Sequence, residues 1–407
     1  MDFLTARRDR IAKAWALQDE MVLLPAGGKI PMPGTDEFYP FRATAEHRYL
    51  ADMNEPGRVL AYDAKIDAWT LFAPRVPVEE EVWHGAVPAV GRPLEELDAF
   101  IAGRSVRNVP EDRTLTTAIT LARRIKDDEE LDRLRRAAAA TAAGFAEARR
   151  LVQPGMRELA LEAELEVSYL RAGGSGPAFD SIVASGNHAA VLHHQPGDDA
   201  IEDGEFLLID SGSAFGGYSC DCTRTFVVAE QPTEEQRRIH NIVLQAQQEA
   251  VAECRAGVEY SEIHRCAVLS MAQGLIDWGL LRGDPARLLE SGATALFFPH
   301  GVGHLIGLAT HDPGGYACGR VRNEHVAWRY LRADLPLEAG MVVTIEPGLY
   351  FIEALLQDPA LRDRHADEVN WEQADALLGI GGVRIEDSVV ITDGEPEVLT
   401  AAIPKDL

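Results

Sequence analysis

Apolar runs typical of buried strands end on an acidic residue twice in the second half of the chain. FLLIDSG (206–212) leads four apolar residues into Asp210, and VVTIEPG (342–348) does the same with Glu346. Short apolar runs bounded by turn residues predict buried strands. An acid at the end of such a strand is unexpected, because burying an isolated carboxylate costs several kcal/mol.

A second apolar segment that carries another acid follows each of these strands. CDCTRTFVV, after a turn near Gly216 and Gly217, contains Asp221, and GGVRIEDSVVIT contains Glu386. The pattern predicts two hairpins of similar design, although their similarity is too weak to establish an internal repeat.

The rest of the chain predicts two domains. Short strand-like runs such as RVLAYD and AWTLFAP alternate with turn signals over 1–124, which indicates a mixed α/β domain. A charged, Ala-rich segment from Leu121, stopped by QPGM, predicts a long helix that opens a second domain, 125–407. Further helices are predicted at 158–172 and 233–255.

Charge and composition exclude several classes of partner. The 407 residues are 46% hydrophobic, and the net charge is −26, which disfavours nucleic acid and anionic membranes. The longest uncharged stretch, 291–311, contains Pro299, four glycines and three histidines, so it does not predict a membrane span. We therefore expect neither nucleic-acid nor membrane partners.

The amino-terminal segment and the cysteines indicate a cytoplasmic protein. MDFLTARRDRIAKAWALQDE is charged throughout and lacks the apolar region of a secretory signal. Five cysteines are an odd number without the spacing of a disulfide framework, so reduced thiols are expected.

The four strand-borne acids raise the question of what neutralises them. Asp210 and Asp221 lie eleven residues apart around the Gly-Gly turn, so we expect the hairpin to bring them roughly face to face. One interpretation pairs them with an arginine, and Arg224 is the local candidate. With Glu346 and Glu386 included, nearby arginines are too few, whereas carboxylates can bridge two divalent ions about 3.5–4 Å apart.

A glycine-rich stretch supplies nitrogen ligands. PHGVGHLIGLATHD (299–312) holds His300, His304 and His311, three of the twelve histidines. Its glycines exclude a regular helix and let the backbone approach an ion closely. One imidazole with four carboxylates suits Mn²⁺, Co²⁺ or Zn²⁺. Other single histidines, such as His188, are interpreted as structural or surface residues.

The ordered set D-x10-D, HGxGH-x6-HD, IEPG and VRIED resembles the metallopeptidase superfamily of methionine aminopeptidase, aminopeptidase P and prolidase. The resemblance implies an α/β (α+β) pita-bread catalytic domain of curved antiparallel sheet covered by helices. GTDEFYPFR and YLADMNEPG resemble the smaller, creatinase-like mixed α/β domain that precedes it in aminopeptidase P and prolidase.

The resemblance also implies the site residues. It implies two divalent metal ions, manganese foremost with zinc or cobalt as alternatives, bound by Asp210, Asp221, His304, Glu346 and Glu386. It implies catalytic roles for Glu346, His311 and His193, and substrate-binding roles for His300, Arg332 and Arg384. It further implies a small peptide substrate and a homodimer.

Two features favour prolidase, a Xaa-Pro dipeptidase, within this superfamily. Arg332 lies fourteen residues before Glu346, where prolidases carry an arginine for the dipeptide carboxylate, and the segment between the last two ligands resembles a prolidase insertion. A solvated surface charge is the plainer interpretation of Arg332. The alternatives are an aminopeptidase P acting on longer peptides and a non-enzymatic pita-bread binding protein.

The sequence departs from the superfamily pattern at two positions. Phe179 stands where a tyrosine generally bonds a ligand carboxylate, and His194 stands where tyrosine is common. The missing bond is worth about 1.5–3 kcal/mol. If all of it acted in the transition state, the rate would fall by roughly one to two orders of magnitude.

Overall fold

A computed structural model describes residues 2–85, 90–229 and 231–407, and the chain divides into one compact unit up to Arg123 and another from Arg124 to Leu407. No helix in the described ranges is long and apolar enough to cross a membrane.

The first unit is built on a five-stranded mixed sheet. Its elements are α1 (Phe3–Trp15), β1 (Met21–Pro25), α2 (Ala45–Ala51), β2 (Val59–Asp63), β3 (Ala68–Ala73), α3 (Val78–His84), β4 (Arg92–Pro93), α4 (Leu97–Ile101), β5 (Val106–Asn108) and α5 (Arg113–Ala122). The strand order is β4-β3-β2-β1-β5, with β4 parallel to β3 and β5 parallel to β1. Leu23, Ala61 and Phe72 form a core on these strands. The mixed α/β character predicted for this part is confirmed.

The second unit contains small antiparallel sheets and two long helix pairs. Its helices are α6 (Asp128–Leu151), α7 (Glu158–Arg171), α8 (Glu234–Ala252), α9 (Tyr260–Asp277), α10 (Pro285–Ser291), α11 (Glu353–Leu356), α12 (Pro359–Arg364) and α13 (Trp371–Ala376). Its strands are β6 (Ile182–Ser185), β7 (Phe206–Ser211), β8 (Ala214–Phe215), β9 (Tyr218–Ser219), β10 (Cys222–Val227), β11 (Val342–Ile345), β12 (Gly348–Tyr350), β13 (Gly382–Arg384), β14 (Asp387–Val390) and β15 (Glu397–Val398).

Each helix pair covers its own set of strands. Helix α6 packs on α7, and both share a hydrophobic core with β7 and β10 through residues such as Leu165 and Ile209. Helix α8 packs on α9, and their core includes β11 and β14 through residues such as Ile263 and Val343. The catalytic-domain fold expected from the sequence is confirmed.

The first long helix begins later than the sequence indicated. A single helix was expected from Leu121, but α5 ends at Ala122 and α6 begins at Asp128. The Asp127 side chain accepts from the Glu130 amide at 3.0 Å, and the Glu130 carboxylate accepts from the Asp127 amide at 3.0 Å. This reciprocal capping box fixes the new start.

The other helix predictions for the second unit give two correct segments and miss its remaining helices. Helices α7 and α8 confirm the segments predicted at 158–172 and 233–255. Helix α9 was not predicted, although its buried residues Ile263, Ala267 and Met271 recur at helical spacing.

The two hairpins meet side by side. The Glu386 amide donates to the Thr223 carbonyl at 3.0 Å, and the Thr225 hydroxyl donates to the Arg384 carbonyl at 3.0 Å. Strand β10 of the first hairpin therefore runs beside β13 and β14 of the second. This junction brings the acids of both hairpins to one place.

Candidate functional site

The register of the first hairpin places its two acids diagonally. Phe215 pairs with Tyr218 around the Gly-Gly turn, and the same register sets Thr223 opposite Asp210. Asp221, just before β10, is consequently offset by two residues from Asp210. The acids, expected to lie roughly face to face, are thus diagonal neighbours, because a two-residue turn fixes the register of the whole hairpin.

The second hairpin brings its acids into register. Ile345 pairs with Asp387, and Gly348 pairs with Arg384. Glu346 and Glu386 lie in the interval between these two pairings, on facing segments. The Thr223 hydroxyl donates to Glu386 Oε2 at 2.7 Å, which fixes the orientation of that carboxylate from the neighbouring hairpin.

The glycine-rich stretch is non-helical, and its backbone lies against β11. The His304 amide donates to Thr344 Oγ1 at 3.1 Å, and the Thr344 amide donates to the His304 carbonyl at 2.9 Å. Gly303 has φ +150°, and a Cβ there would lie 2.2 Å from the Thr344 carbonyl oxygen. Only glycine allows this approach, which presents the His304 ring to the acids.

The orientation of His304 suits a metal ligand. Its Nδ1 lies 3.0 Å from the Leu305 carbonyl, while Nε2 lies 3.5 Å from Asp221 Oδ2 and 3.6 Å from Glu346 Oε1. When Nδ1 carries the proton and donates it to the carbonyl, Nε2 keeps a free lone pair that can bind a metal, as in metal-bound histidines.

One cavity of about 980 Å³ collects the residues that the sequence singled out. Its lining includes Phe179, His193, Asp210, Asp221, His300, His304, His311, Arg332, Glu346, Arg384 and Glu386. The structure therefore brings together every predicted site residue, from segments that span more than half of the chain.

The carboxylates of Asp221 and Glu386 are buried, those of Asp210 and Glu346 are mostly buried, and little positive charge compensates the four. Burial raises the pKa of Asp221 to about 6 and that of Glu346 to about 7, and it raises the pKa of Glu386 well above its ordinary value. Burial removes water that would stabilise the charged form, and neighbouring acids add repulsion. The protein alone thus favours uptake of protons or other cations here.

An arginine does reach one of the acids, but it is not the predicted one. Arg224 binds Asp387 at 2.8 Å and carbonyl groups, and so does not neutralise the site. Arg384 instead donates to Asp210 Oδ2 at 2.5 Å and to the Tyr350 hydroxyl at 2.8 Å. The tertiary pairing of β10 with the second hairpin determines which arginine reaches which acid.

The remaining donor atoms fit divalent metal ions. Oδ1 of Asp210 and Oδ1 of Asp221 are buried without a hydrogen-bond partner among the described residues. Ligand atoms of Asp221, His304 and Glu386 all lie within 4.8 Å of one another. Unsatisfied carboxylate oxygens beside one imidazole nitrogen are the donor set of a hard or borderline cation such as Mn²⁺ or Zn²⁺.

Two further histidines of the cavity are neutral near pH 7. Burial lowers the pKa of His300 to about 3, and partial desolvation together with the neighbouring His304 lowers the pKa of His311, which is solvent-exposed on one side. His300 contacts the Tyr350 hydroxyl at 3.0 Å, and the His311 ring stands edge-on to His304 with centroids 4.4 Å apart. Neutral imidazoles of this kind can donate hydrogen bonds without adding charge.

Comparison with known proteins identifies the family. Residues 132–393 match the model of metallopeptidase family M24, and residues 4–102 match the aminopeptidase P N-terminal domain. The chain belongs to metallopeptidase family M24.

Two fungal proteins illustrate the similarity of this M24 peptidase to its relatives. "Probable Xaa-Pro aminopeptidase pepP" of Botryotinia fuckeliana is 32% identical over 94% of this chain and 90% of its own length. "Probable Xaa-Pro aminopeptidase" of Sordaria macrospora is 33% identical over 91% of this chain and 86% of its own.

Solved structures agree across both units of the M24 peptidase. Pseudomonas aeruginosa aminopeptidase PepP has a TM-score of 0.83 at 29% identity and covers 99% of this chain and 95% of its own. Aminopeptidase P from E. coli with the inhibitor Pro-Leu has a TM-score of 0.81 at 28% identity, with coverage of 99% and 95%. The relatives thus favour the alternative of the sequence analysis, aminopeptidase P, over its main prediction, a dipeptidase.

Sequence reasoning missed several residues that line this M24 cavity or contact its lining. Tyr350 connects His300 with Arg384, and its position four residues after Glu346 in a strand segment could have drawn attention to it. Arg322 and Arg329 line the cavity together with Arg332 but occur in no motif.

Proposed function

We propose that this M24 peptidase is a Xaa-Pro aminopeptidase, which removes the first residue from peptides that have proline in the second position. The two fungal relatives, which match more than 90% of the chain, carry that name. The sequence-based preference for dipeptides rested on Arg332 and on the segment between the last two ligands. The exposure of Arg332 is the observation that changes the balance.

Arg332 is solvent-exposed at the cavity lining. A dipeptidase could reject longer peptides with a buried guanidinium, because leaving that group unpaired would be costly. An exposed guanidinium remains hydrated when it is unpaired, so it discriminates little against longer peptides. The cavity volume, about 980 Å³, is also near the upper end of the roughly 300–1,000 Å³ usual for small-molecule sites. Both features support a site that accepts peptides with further residues after the proline.

The metal centre is proposed as the site of chemistry. Asp210, Asp221, His304, Glu346 and Glu386 would hold two divalent ions, for which manganese is our first choice and zinc or cobalt the alternatives. When bound, such ions lower the pKa of a coordinated water and polarise the scissile carbonyl. One structure similar to this chain is a zinc-substituted E. coli aminopeptidase P in complex with product.

The protein groups have separate proposed roles. The Glu346 carboxylate, whose pKa burial raises to about 7, would accept the proton of the attacking water and pass it to the proline nitrogen. His311 and His193 line the cavity and would donate hydrogen bonds to the oxygen of the tetrahedral intermediate. Arg384 would keep Asp210 oriented, and His300 would position the substrate through its bond with Tyr350.

Substrate length is the decisive test. We expect higher kcat/KM for Xaa-Pro-Yaa tripeptides than for the matching Xaa-Pro dipeptides, with Arg332→Ala changing KM for both by a similar factor. Arg329→Ala, a neighbouring exposed arginine of the same cavity, is the matched control. A selective increase of KM for dipeptides in Arg332→Ala, with the tripeptide unaffected, would support prolidase instead.

Metal dependence tests the centre itself. Chelation should abolish hydrolysis of either substrate, and added Mn²⁺, Co²⁺ or Zn²⁺ should restore it. Full activity after exhaustive chelation would contradict the proposed centre and would leave a binding protein or a metal-free enzyme to consider. The homodimer and the cytoplasmic location remain predictions, and size-exclusion chromatography with light scattering tests the former.

A further inference from the structure

A second cluster of ligand-type side chains lies outside the residues that line the catalytic cavity. It consists of Glu158 at the start of α7, His188 in the turn after β6, and His194. Glu158 Oε1 lies 3.0 Å from His188 Nδ1, and Oε2 lies 2.7 Å from His194 Nε2. One ligand atom from each of the three residues lies within 4.8 Å of the others.

The carboxylate of this cluster is buried and held firmly. The Glu158 side chain has 0% of its surface exposed. Its Oε1 accepts from the Ser185 amide at 2.8 Å and from the Ser185 hydroxyl at 3.0 Å. Burial alone would raise the pKa of Glu158, but the bonds from Ser185 and the two histidines outweigh it and lower the pKa. A charged carboxylate in a fixed orientation is thus present at the base of the cluster.

The two imidazoles lie on the same side of that carboxylate. The rings of His188 and His194 are stacked, with centroids 4.2 Å apart and planes inclined by 23°. Their side chains are 36% and 15% exposed, respectively, so solvent and small ions can reach them. His188 was interpreted from the sequence as a structural or surface residue, and the structure places it in a group with a second histidine and a carboxylate.

We propose that Glu158, His188 and His194 form a third divalent-metal site, separate from the catalytic pair, that binds Zn²⁺. Two imidazoles and one carboxylate make a three-ligand set that leaves one position for water. Borderline ions bind nitrogen donors more readily than Mn²⁺ does, so this site favours zinc, whereas the carboxylate-rich catalytic centre suits harder ions.

The three side chains must rearrange to bind one ion, because the two histidines contact different oxygens of Glu158 and their stacked rings must rotate before both nitrogen lone pairs meet. With zinc bonds of about 2.0–2.1 Å, tetrahedral ligand atoms stand about 3.3–3.4 Å apart. The observed contacts of 2.7 and 3.0 Å must therefore open by a few tenths of an ångström. The exposed side of His188 leaves space for that movement, while Ser185 keeps the carboxylate oriented, as outer partners do in metal sites.

Zinc at this position would tie the segment 186–194 to helix α7. His193, adjacent to His194, lines the catalytic cavity. An ion that binds the folded chain alone raises its stability in proportion to RT ln(1 + [Zn]/Kd). The site is therefore structural and would hold the segment that carries His193 without taking part in the reaction.

Metal counting on the full-length protein tests the proposal. The protein is stripped with chelator, equilibrated with micromolar Zn²⁺, freed of unbound metal, and analysed by mass spectrometry for zinc per chain. His188→Gln should bind one zinc ion fewer than its parent, both in the wild type and in a Glu386→Gln background that weakens the catalytic centre. His325→Gln, which alters a histidine outside both groups, should bind as many as the parent.

Because the measurement is a difference, it does not depend on how many ions the catalytic centre holds. Failure of the proposed function would change the total count but not the difference between parent and His188→Gln. Equal zinc content in those two proteins, in both backgrounds, would overturn the third site, as would a loss of zinc in His325→Gln of the same size.

His194→Tyr separates a metal site from a hydrogen-bonded group. A tyrosine hydroxyl can still donate to Glu158, so a purely structural triad should keep its melting temperature. If the cluster binds zinc, added Zn²⁺ should raise the melting temperature of His194→Tyr less than that of the parent, since only the catalytic centre of the variant still binds the ion. A rise of equal size in parent and His194→Tyr would contradict the proposal.

Discussion

Arg384 is a buried cation that binds an acid of the candidate centre. The loss of unfolding free energy on its removal can be worked out from the structure. Its side chain is 4% exposed, donates to Asp210 Oδ2 at 2.5 Å and to the Tyr350 hydroxyl at 2.8 Å. Breaking a buried ion pair by removing one partner costs about 3–5 kcal/mol. The Asp210 side chain is 15% exposed, so partial hydration places the cost in the lower part of this range. Arg384→Met should therefore destabilise the chelated protein by about 3–4 kcal/mol.

Divalent ions should reduce this loss. They neutralise the same carboxylates that Arg384 neutralises, so the two effects are not additive. In the metal-loaded protein the substitution should cost clearly less than in the chelated protein, since Asp210 keeps a cation nearby.

Thermal and denaturant unfolding of the chelated and Mn²⁺-loaded proteins provide the assay. For a unit as large as Arg124–Leu407, each kcal/mol corresponds to roughly 2 °C, so the chelated variant should melt about 6–8 °C lower. The control is Arg150→Met, which breaks an exposed pair with Glu147 at 2.6 Å and should cost under about 1 kcal/mol. A loss in the chelated protein no larger than that of Arg150→Met, or an equal loss with and without metal, would refute the reasoning.

Three other substitutions address single positions. Phe179→Tyr adds a hydroxyl to the cavity and should leave kcat unchanged or raise it by up to roughly one to two orders of magnitude, whereas inactivation would show that the site geometry is misinterpreted. Gly303→Ala forces a Cβ to 2.2 Å from the Thr344 carbonyl oxygen, so it should lower metal content, measured by mass spectrometry, and destabilise the fold by about 1–3 kcal/mol. Burial lowers the pKa of His264 to about 4, below its unfolded value. Its stabilising contribution is therefore complete above about pH 6.5 and is lost as the pH falls toward 4. From pH 7 to 5 it should account for about 2 kcal/mol of lost unfolding free energy, which His264→Gln should abolish. An unchanged pH dependence in His264→Gln would contradict that assignment.

Local patterns predicted much of the architecture and the chemistry of the cavity. The strand-borne acids at 210, 221, 346 and 386 could be recognised from the sequence. Burying a carboxylate costs free energy, so an acid within an apolar strand segment indicates a special role. The Gly216–Gly217 turn was recognisable because two consecutive residues with positive φ favour glycine, and here φ is +54° and +87°. The turn also fixes the register of the hairpin. Counting residue pairs outward from its centre would have predicted that Thr223 lies opposite Asp210.

Long-range pairing decided what the motifs left open. Arg384, 174 residues from Asp210 in the chain, is its partner, and the nearer Arg224 binds Asp387 instead. Which cation reaches which acid depends on the packing of one hairpin beside another, and no local spacing encodes it. Sequence spacing likewise placed Arg332 near the substrate, but only the folded chain determined that it is exposed.

The chain by itself determined which chemical groups are available: acids, imidazoles and glycines in an order typical of one peptidase family. The tertiary structure decided which of them meet. Glu158 and His194 are 36 residues apart and belong to no common motif, yet they lie 2.7 Å apart because α7 packs against the segment that follows β6. The reason is physical, since side-chain identity is local, whereas burial, charge pairing and ligand geometry depend on contacts between distant segments.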